Sequence, residues 1–137
     1  MNVFITGCST GIGLAAAEHF AAKGYQVIAT ARNPESSEGL QSLIKSNDSV
    51  MVLPLDVTDQ ASVDATIKKA TDEVGAIDVL INNAGIGHGM SVENTSIDKA
   101  REIMETNYFG AYRMMKALIP TMPVSYTHLT LPTTSCV

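Results

Sequence analysis

Thr6-Gly7-Cys8-Ser9-Thr10-Gly11-Ile12-Gly13 decides how the rest of the chain is read. Ahead of it, residues 2–6 form a short apolar run that predicts a strand. Behind it, residues 11–23 carry Ile12, Ala16 and Phe20 on one face at helical spacing. A glycine turn between a strand and a helix needs each glycine for a physical reason. One permits the tight turn, one lets the backbone approach a pyrophosphate, and one lets helix and strand pack closely. The helix then directs its free N–H groups and the positive end of its dipole at the phosphates. The spacing is G-x-x-x-G-x-G, so Gly7, Ser9, Thr10, Gly11, Ile12 and Gly13 are the candidate phosphate-side residues. The strand before and the helix after argue against an ordinary tight turn.

The same alternation continues outward. Gly24 stands where a helix commonly ends in a left-handed residue. Residues 26–31 (QVIATA) predict a second strand, 35–45 a more polar helix behind Pro34, and 51–55 a third strand. Residues 58–74 predict a helix buried through Val63, Ile67, Ala70 and Val74, residues 77–81 a fourth strand, and residues 97 to about 118 a fourth helix. The order βαβαβαβα implies an α/β fold, a doubly wound parallel sheet of about four strands between two layers of helices. Residues 1–122 read as one domain, with no internal repeat and no linker. Residues 123–137 (PVSYTHLTLPTTSCV) break the pattern with Thr, Ser and two prolines. They read as a disordered tail foreign to the fold, of the kind produced by translation through a cloning or sequencing joint. A native flexible tail is the alternative.

Composition bounds the function. A chain of 137 residues fits one domain. It is 45% hydrophobic and 17% charged, below the usual ~25% charged, as expected of strands buried on both faces. A net charge of −5 and a pI near 5.0 argue against a nucleic-acid partner. No apolar run approaches the ~20 residues of a membrane span, and the start lacks the pattern of a signal peptide. Two cysteines, Cys8 and Cys136, make no disulfide framework. A cytoplasmic protein is the expectation. Cys8 reads as a packing residue, and His19 and His88 as surface or loop residues; no metal site is expected.

The strand ends carry the remaining candidates. A dinucleotide site of the NAD type places an acid at the end of the second strand to bind the ribose 2′-OH. Here Ala31 occupies that place and Arg32 follows. An arginine fork suits a 2′-phosphate, which an acid would repel, so the cofactor reading is NADP, with NAD less favoured. Asp56, with Val57 beside it, ends the third strand on the ligand crevice and can accept from an adenine amino group. The alternative is a helix cap, for which Thr58 and Asp59 are better placed. Asn82-Asn83-Ala84-Gly85 follows the fourth strand; its amides can tie strand ends together, and Asn83, Ala84 and Gly85 keep the backbone close to the cofactor.

Taken together, the glycine turn, Asp56 and Asn82-Asn-Ala-Gly85 resemble the short-chain dehydrogenase/reductase family over residues 2 to about 122. The opening turn and Ala-Thr-Ala-Arg32 are similar to the branch with hydroxysteroid and retinol reductases. The resemblance implies a Rossmann-type fold and hydride transfer between NADP(H) and a carbonyl or secondary alcohol. Glu105-Thr106-Asn107-Tyr108-Phe109-Gly110 matches the family's fourth helix, so Asn107 inherits a catalytic role, holding a water that leads to a catalytic lysine. The family's serine and its Tyr-x-x-x-Lys lie beyond that helix. Tyr112-Arg113-Met114-Met115-Lys116 fits the motif by chance, being on the same helix as Asn107. Tyr126 has Thr130 in place of the lysine. The chain is therefore expected to be a front half without turnover. Its fourth strand should be a bare edge, and Ile103, Met104, Met114, Met115 and Leu118 should be partly uncovered. The intact parent is expected to be a homo-oligomer. A non-catalytic dinucleotide-binding module is the alternative function. A sugar-nucleotide epimerase is disfavoured by the glycine spacing and by Asn-Asn-Ala-Gly.

Overall fold

The computed structural model describes residues 1–122 and the strand His128–Thr130. In chain order the elements are β1 (Asn2–Ile5), α1 (Gly11–Ala22), β2 (Gln26–Ala31), α2 (Glu38–Ser46), β3 (Val50–Pro54) and α3 (Gln60–Val74). They are followed by β4 (Val79–Ile81), α4 (Ile97–Met104), a π-helical segment Glu105–Gly110, α5 (Ala111–Leu118) and β5 (His128–Thr130). All strand pairs are parallel, in the order β3-β2-β1-β4-β5. The chain winds from β1 out to β3 and then returns to the other side of β1 with β4. The carboxyl ends of β1 and β4 therefore mark the switch point, where such sheets bind their ligands.

Alternation along the strands builds two cores. Phe4, Ile28, Leu53 and Leu80 face Val63, Ile67 and Ala70 of α3 and Met114 and Leu118 of α5. Val3, Ile5, Val27 and Ala29 face Ala17 and Ala21 of α1 and Leu40 and Leu43 of α2. Successive side chains of a strand point to opposite faces, so a strand covered on both faces must be apolar throughout. Beyond Asn2 and Gln26 at their starts, β1 and β2 meet that demand except at the buried Thr30, whose hydroxyl donates to the Ile5 carbonyl at 2.9 Å.

Several expectations need correction. Helix α1 does not bury the Ile12 face. It buries Gly13, Ala17 and Ala21, while Ile12 is 82% exposed. Close contact with the sheet selects the small residues, and spacing alone could not choose between two apolar stripes. The predicted helix over 35–45 is split into a 3-10 turn, Pro34–Ser36, and α2, because Ser37 caps a new start by accepting from the Leu40 N–H. Helix α3 starts later than expected, with Asp59 as its cap.

The fourth correction concerns the sheet edge. Strand β4 is not bare, since His128–Thr130 lies parallel to it with Leu129 opposite Leu80. Unpaired N–H and C=O groups along an edge are a template for any extended segment. Residues 123–137 are thus not wholly outside the fold; 123–127 and 131–137, with Tyr126 and Cys136, lie outside the described residues. Met114 and Leu118 are fully buried, not uncovered, whereas Met104 is exposed and Ile103 and Met115 are half-buried. No helix among the described residues is long and apolar enough to cross a membrane.

Candidate functional site

A cleft of about 330 Å³ opens over the carboxyl ends of β1, β2, β3 and β4. It is lined by Gly7, Ser9, Thr10, Ile12 and Gly13 of the glycine turn, and by Arg32, Asp56, Val57, Asn83, Ala84 and Gly85. Among the predicted cofactor residues, Gly11 alone is absent from the lining. Its φ of +62° instead turns the chain into α1.

Two glycines are required by contact. Gly7 has φ +71°, and a Cβ there would lie 2.7 Å from the Ala84 Cα. A Cβ on Gly13 would collide with the Gly7 carbonyl and the Asn83 amide. Helix α1 has Thr10 at its N-cap with no side-chain hydrogen bond. Its first N–H groups are thus left to an acceptor in the cleft.

Thr6 and Asn83 hold β1 against β4. The Thr6 Oγ1 accepts from the Asn83 N–H at 3.0 Å and the Ala84 N–H at 2.9 Å. The Asn83 Nδ2 donates to the carbonyls of Thr6 and Gly7, both at 2.9 Å. The amide of the buried neighbour Asn82 has no hydrogen-bond partner among the described residues.

Charge collects in the cleft at the ends of β2 and β3. Arg32 is exposed, lines the cleft and makes no ion pair among the described residues. The Asp56 Oδ1 accepts from the Thr58 hydroxyl at 2.7 Å and the Thr58 N–H at 2.9 Å. The Thr58 hydroxyl, the Thr58 N–H, Arg32 and Arg113 together hold the Asp56 carboxyl below the usual carboxylate range. Arg113 is also paired with Glu105. The Asp56 carboxylate thus closes a turn on Thr58 and lines the cleft, while the helix cap falls to Asp59.

Asn107 sits in the π-helical segment, near but not in the cleft lining. Its Nδ2 donates to the Ile86 carbonyl at 2.9 Å, and its Oδ1 accepts from the Ile86 N–H at 2.8 Å. Those bonds use one donor and one acceptor of the amide. Tyr112 is 53% exposed on α5 and takes no part in the cleft, in line with a chance match of Tyr112 and Lys116 to the motif. Cys8 is fully buried, and burial pushes its thiol up to about 12, so it packs and does not attack. Its backbone N–H donates to the Thr30 carbonyl at 2.7 Å. His19 is exposed and His88 half-buried.

Leu55, Thr58, Ile86 and Thr106 also line the cleft and were not singled out from the sequence. Ile86 and Thr106 directly follow or precede residues that were, so adjacency was the available signal. Ser37, whose hydroxyl donates to the Ser9 carbonyl at 2.6 Å, had no such signal.

The sequence profile described as short chain dehydrogenase matches residues 1–127. The chain belongs to the short-chain dehydrogenase family. Oxidoreductase calM of Penicillium decumbens is 41% identical over 129 residues, covering 91% of this chain and 41% of the relative. The 3-oxoacyl-acyl-carrier-protein reductase FabG of Escherichia coli is 35% identical over 118 residues, covering 86% and 48%. The chain therefore spans less than half the length of these curated relatives. Among solved short-chain dehydrogenase folds, NADPH-bound carbonyl reductase from chicken fatty liver superposes with a TM-score of 0.83 at 30% identity, covering 88% of this chain and 50% of that one. A 3-ketoacyl-acyl-carrier-protein reductase from Brucella melitensis, complexed with NADH, superposes with a TM-score of 0.81 at 32% identity, covering 88% and 49%.

Proposed function

We propose that this chain is the NADP(H)-binding portion of an oxidoreductase that moves a hydride between the nicotinamide and a small carbonyl or secondary alcohol. The observation that carries the cofactor preference is Arg32. It is an exposed guanidinium at the cleft, beside Ala31 where an NAD site would carry an acid, and it has no ion-pair partner among the described residues. The two solved relatives hold different cofactors, one NADPH and one NADH, so the preference rests on this chain's own residues.

The cleft fits the cofactor. Gly7 and Gly13 let the turn close on Ala84 and Asn83, which holds its backbone at the cleft, and the uncapped start of α1 supplies donors for a pyrophosphate. Asp56 and Val57 border the adenine position, and Asn83, Ala84 and Gly85 border the path towards the nicotinamide. When bound, the nicotinamide supplies or accepts the hydride. Through its two hydrogen bonds the Asn107 amide positions Ile86 at the cleft wall. No tyrosine lines the cleft among the described residues, so a general acid with the tyrosine's role is not in place here. The chain is accordingly expected to bind cofactor without turnover.

The test is calorimetric binding of NADPH and NADH to the purified chain, with carbonyl-dependent NADPH oxidation followed in the same preparation. Tighter NADPH binding that Arg32→Ala abolishes, without oxidation, is the expected result. Equal affinity for both nucleotides would overturn the NADP reading, and turnover would overturn the dismissal of Tyr112 and Lys116.

A further inference from the structure

Ser37 lies outside the cleft, is almost fully buried, and among the described residues hydrogen-bonds no group that the cofactor reading uses except the Ser9 carbonyl. Its hydroxyl donates to that carbonyl at 2.6 Å across 28 residues of chain, while its oxygen accepts from the Leu40 N–H at 3.3 Å. Ser9 lies between Gly7 and Gly11 in the turn, and Ser37 ends the segment that begins at Arg32.

That segment is closed by its own hydrogen bonds. The Ser36 N–H donates to the Asn33 carbonyl and the Ser37 N–H to the Pro34 carbonyl, both at 3.2 Å. The Ser36 hydroxyl donates to the Asn33 carbonyl at 2.8 Å, and the Gln41 Nε2 to the Pro34 carbonyl at 3.2 Å. Pro34 is buried beneath it. Residues 33–37 are thus tied to one another, and the Ser37 hydroxyl joins them to the glycine turn on the far side of Arg32 from the bond between the Cys8 N–H and the Thr30 carbonyl. Gly39 supports the same seam: a Cβ there would run into the Leu14 side chain of α1.

We propose that Ser37 is a positioning residue for cofactor selectivity, setting the spacing between Arg32 and the Ser9–Thr10 turn so that one dinucleotide reaches both at once. This rests on the cofactor reading above. The ribose and the phosphates of a dinucleotide are joined covalently at a fixed reach. A ligand held at both the 2′-phosphate and the pyrophosphate depends on that spacing, and a ligand held only at the pyrophosphate does so much less. Losing one buried hydrogen bond that sets geometry is on the order of a tenfold effect on affinity.

The experiment measures NADPH and NADH affinity by calorimetry for the 137-residue chain, Ser37→Ala, Ser37→Thr, Arg32→Ala and the Arg32/Ser37 double alanine variant. Ser37→Ala is expected to weaken NADPH about tenfold and NADH distinctly less, with Ser37→Thr restoring the preference. In the double variant the NADPH loss should fall short of the product of the two single losses, since both act on the same contact. Ser37→Gly keeps an acceptable helix cap but removes the hydroxyl, so it carries the test if Ser37→Ala fails to fold. Equal weakening of both nucleotides, or single losses that multiply, would reduce Ser37 to a structural residue and overturn the proposal. A parent chain that prefers neither nucleotide, or that Arg32→Ala leaves unchanged, would instead sink the NADP reading, and this proposal with it.

Discussion

The side-chain amide of Asn107 and the backbone of Ile86 hydrogen-bond to each other twice, at 2.8 and 2.9 Å, as two strand residues would. The pair joins the π-helical segment to the loop after β4. A π-helical turn inside a long helix offsets the residues that follow it, and such turns are frequent at functional sites. Here the offset segment presents Asn107 to Ile86 while Gly110 packs directly on Val57 at the cleft. The wall of the cleft and the helix behind it are thus one unit.

Asn107→Ala is expected to destabilise the chain by about 1–3 kcal/mol, because it leaves both backbone groups of a half-buried Ile86 without partners. Thermal unfolding gives the loss. Hydrogen exchange gives its location, with the Ile86 amide becoming faster while amides of β1 and β2 keep their relative order. An unchanged Ile86 exchange rate would show that the amide does not hold the loop.

Thr6→Val removes the one oxygen that accepts from both Asn83 and Ala84 while keeping the side chain's shape. The expected loss is about 1–2 kcal/mol, since the Ala84 N–H loses its partner and the Asn83 N–H keeps only the Ile81 carbonyl. Thr6→Ser should recover most of it in denaturant unfolding. If valine is as stable as threonine, the Thr6 hydroxyl adds nothing to a tie already made by the Asn83 amide and the β1–β4 backbone bonds.

Gly7→Ala combines a positive φ with a Cβ only 2.7 Å from the Ala84 backbone. Strain in the left-handed region alone costs about 1–2 kcal/mol, and the contact forces β1 and the Ala84 loop apart. Circular dichroism melting should show a loss of several degrees or more, on the order of that expected for 1–2 kcal/mol in a domain of this size. Gly24→Ala, also at positive φ but with open space around its Cβ, should lose less. Equal losses would mean that the contact with Ala84 relaxes freely.

Asp56 sets an acid limb of stability. Its carboxyl is held below its ordinary value in the folded chain, first by the Thr58 hydroxyl. A depressed folded value means stability that is present above the unfolded value of about 4 and lost as pH falls through the folded one. Asp56→Asn should therefore be less stable than the parent at pH 7, and the gap should narrow as unfolding is measured at pH 4, 3 and 2. A gap independent of pH would show that the carboxylate's charge contributes nothing.

Cys8 should not react with a thiol reagent at pH 8 in the folded chain, measured in a Cys136→Ser background so that a single thiol is read. Burial holds the thiol at about 12, leaving almost no thiolate at that pH. Labelling should appear only with denaturant. Prompt reaction of the native chain would place Cys8 at the surface.

Much of this protein was legible in local pattern. Strand and helix alternation follows from apolar spacing, and the cleft residues follow from glycines and from polar residues placed just after strands. These signals act over a few residues, through backbone sterics and side-chain period, so a linear reading recovers them. Choices among equivalent local patterns were decided by packing. The sheet selected Gly13, Ala17 and Ala21 over Ile12, Ala16 and Phe20, since only the small residues allow close approach. Met114 and Leu118 of α5 found cover against α3 and the sheet although their spacing said nothing of what lay opposite. His128–Thr130 joined β4 because an unpaired edge accepts a segment whose own sequence has little strand character. The bonds of Asn107 to Ile86, 21 residues away, and of Ser37 to Ser9, 28 residues away, exist only once the parallel sheet has carried those segments together. The sequence alone determined which residues gather at the switch point; the tertiary structure decided which of them hold one another, because a hydrogen bond depends on distance in space and not along the chain.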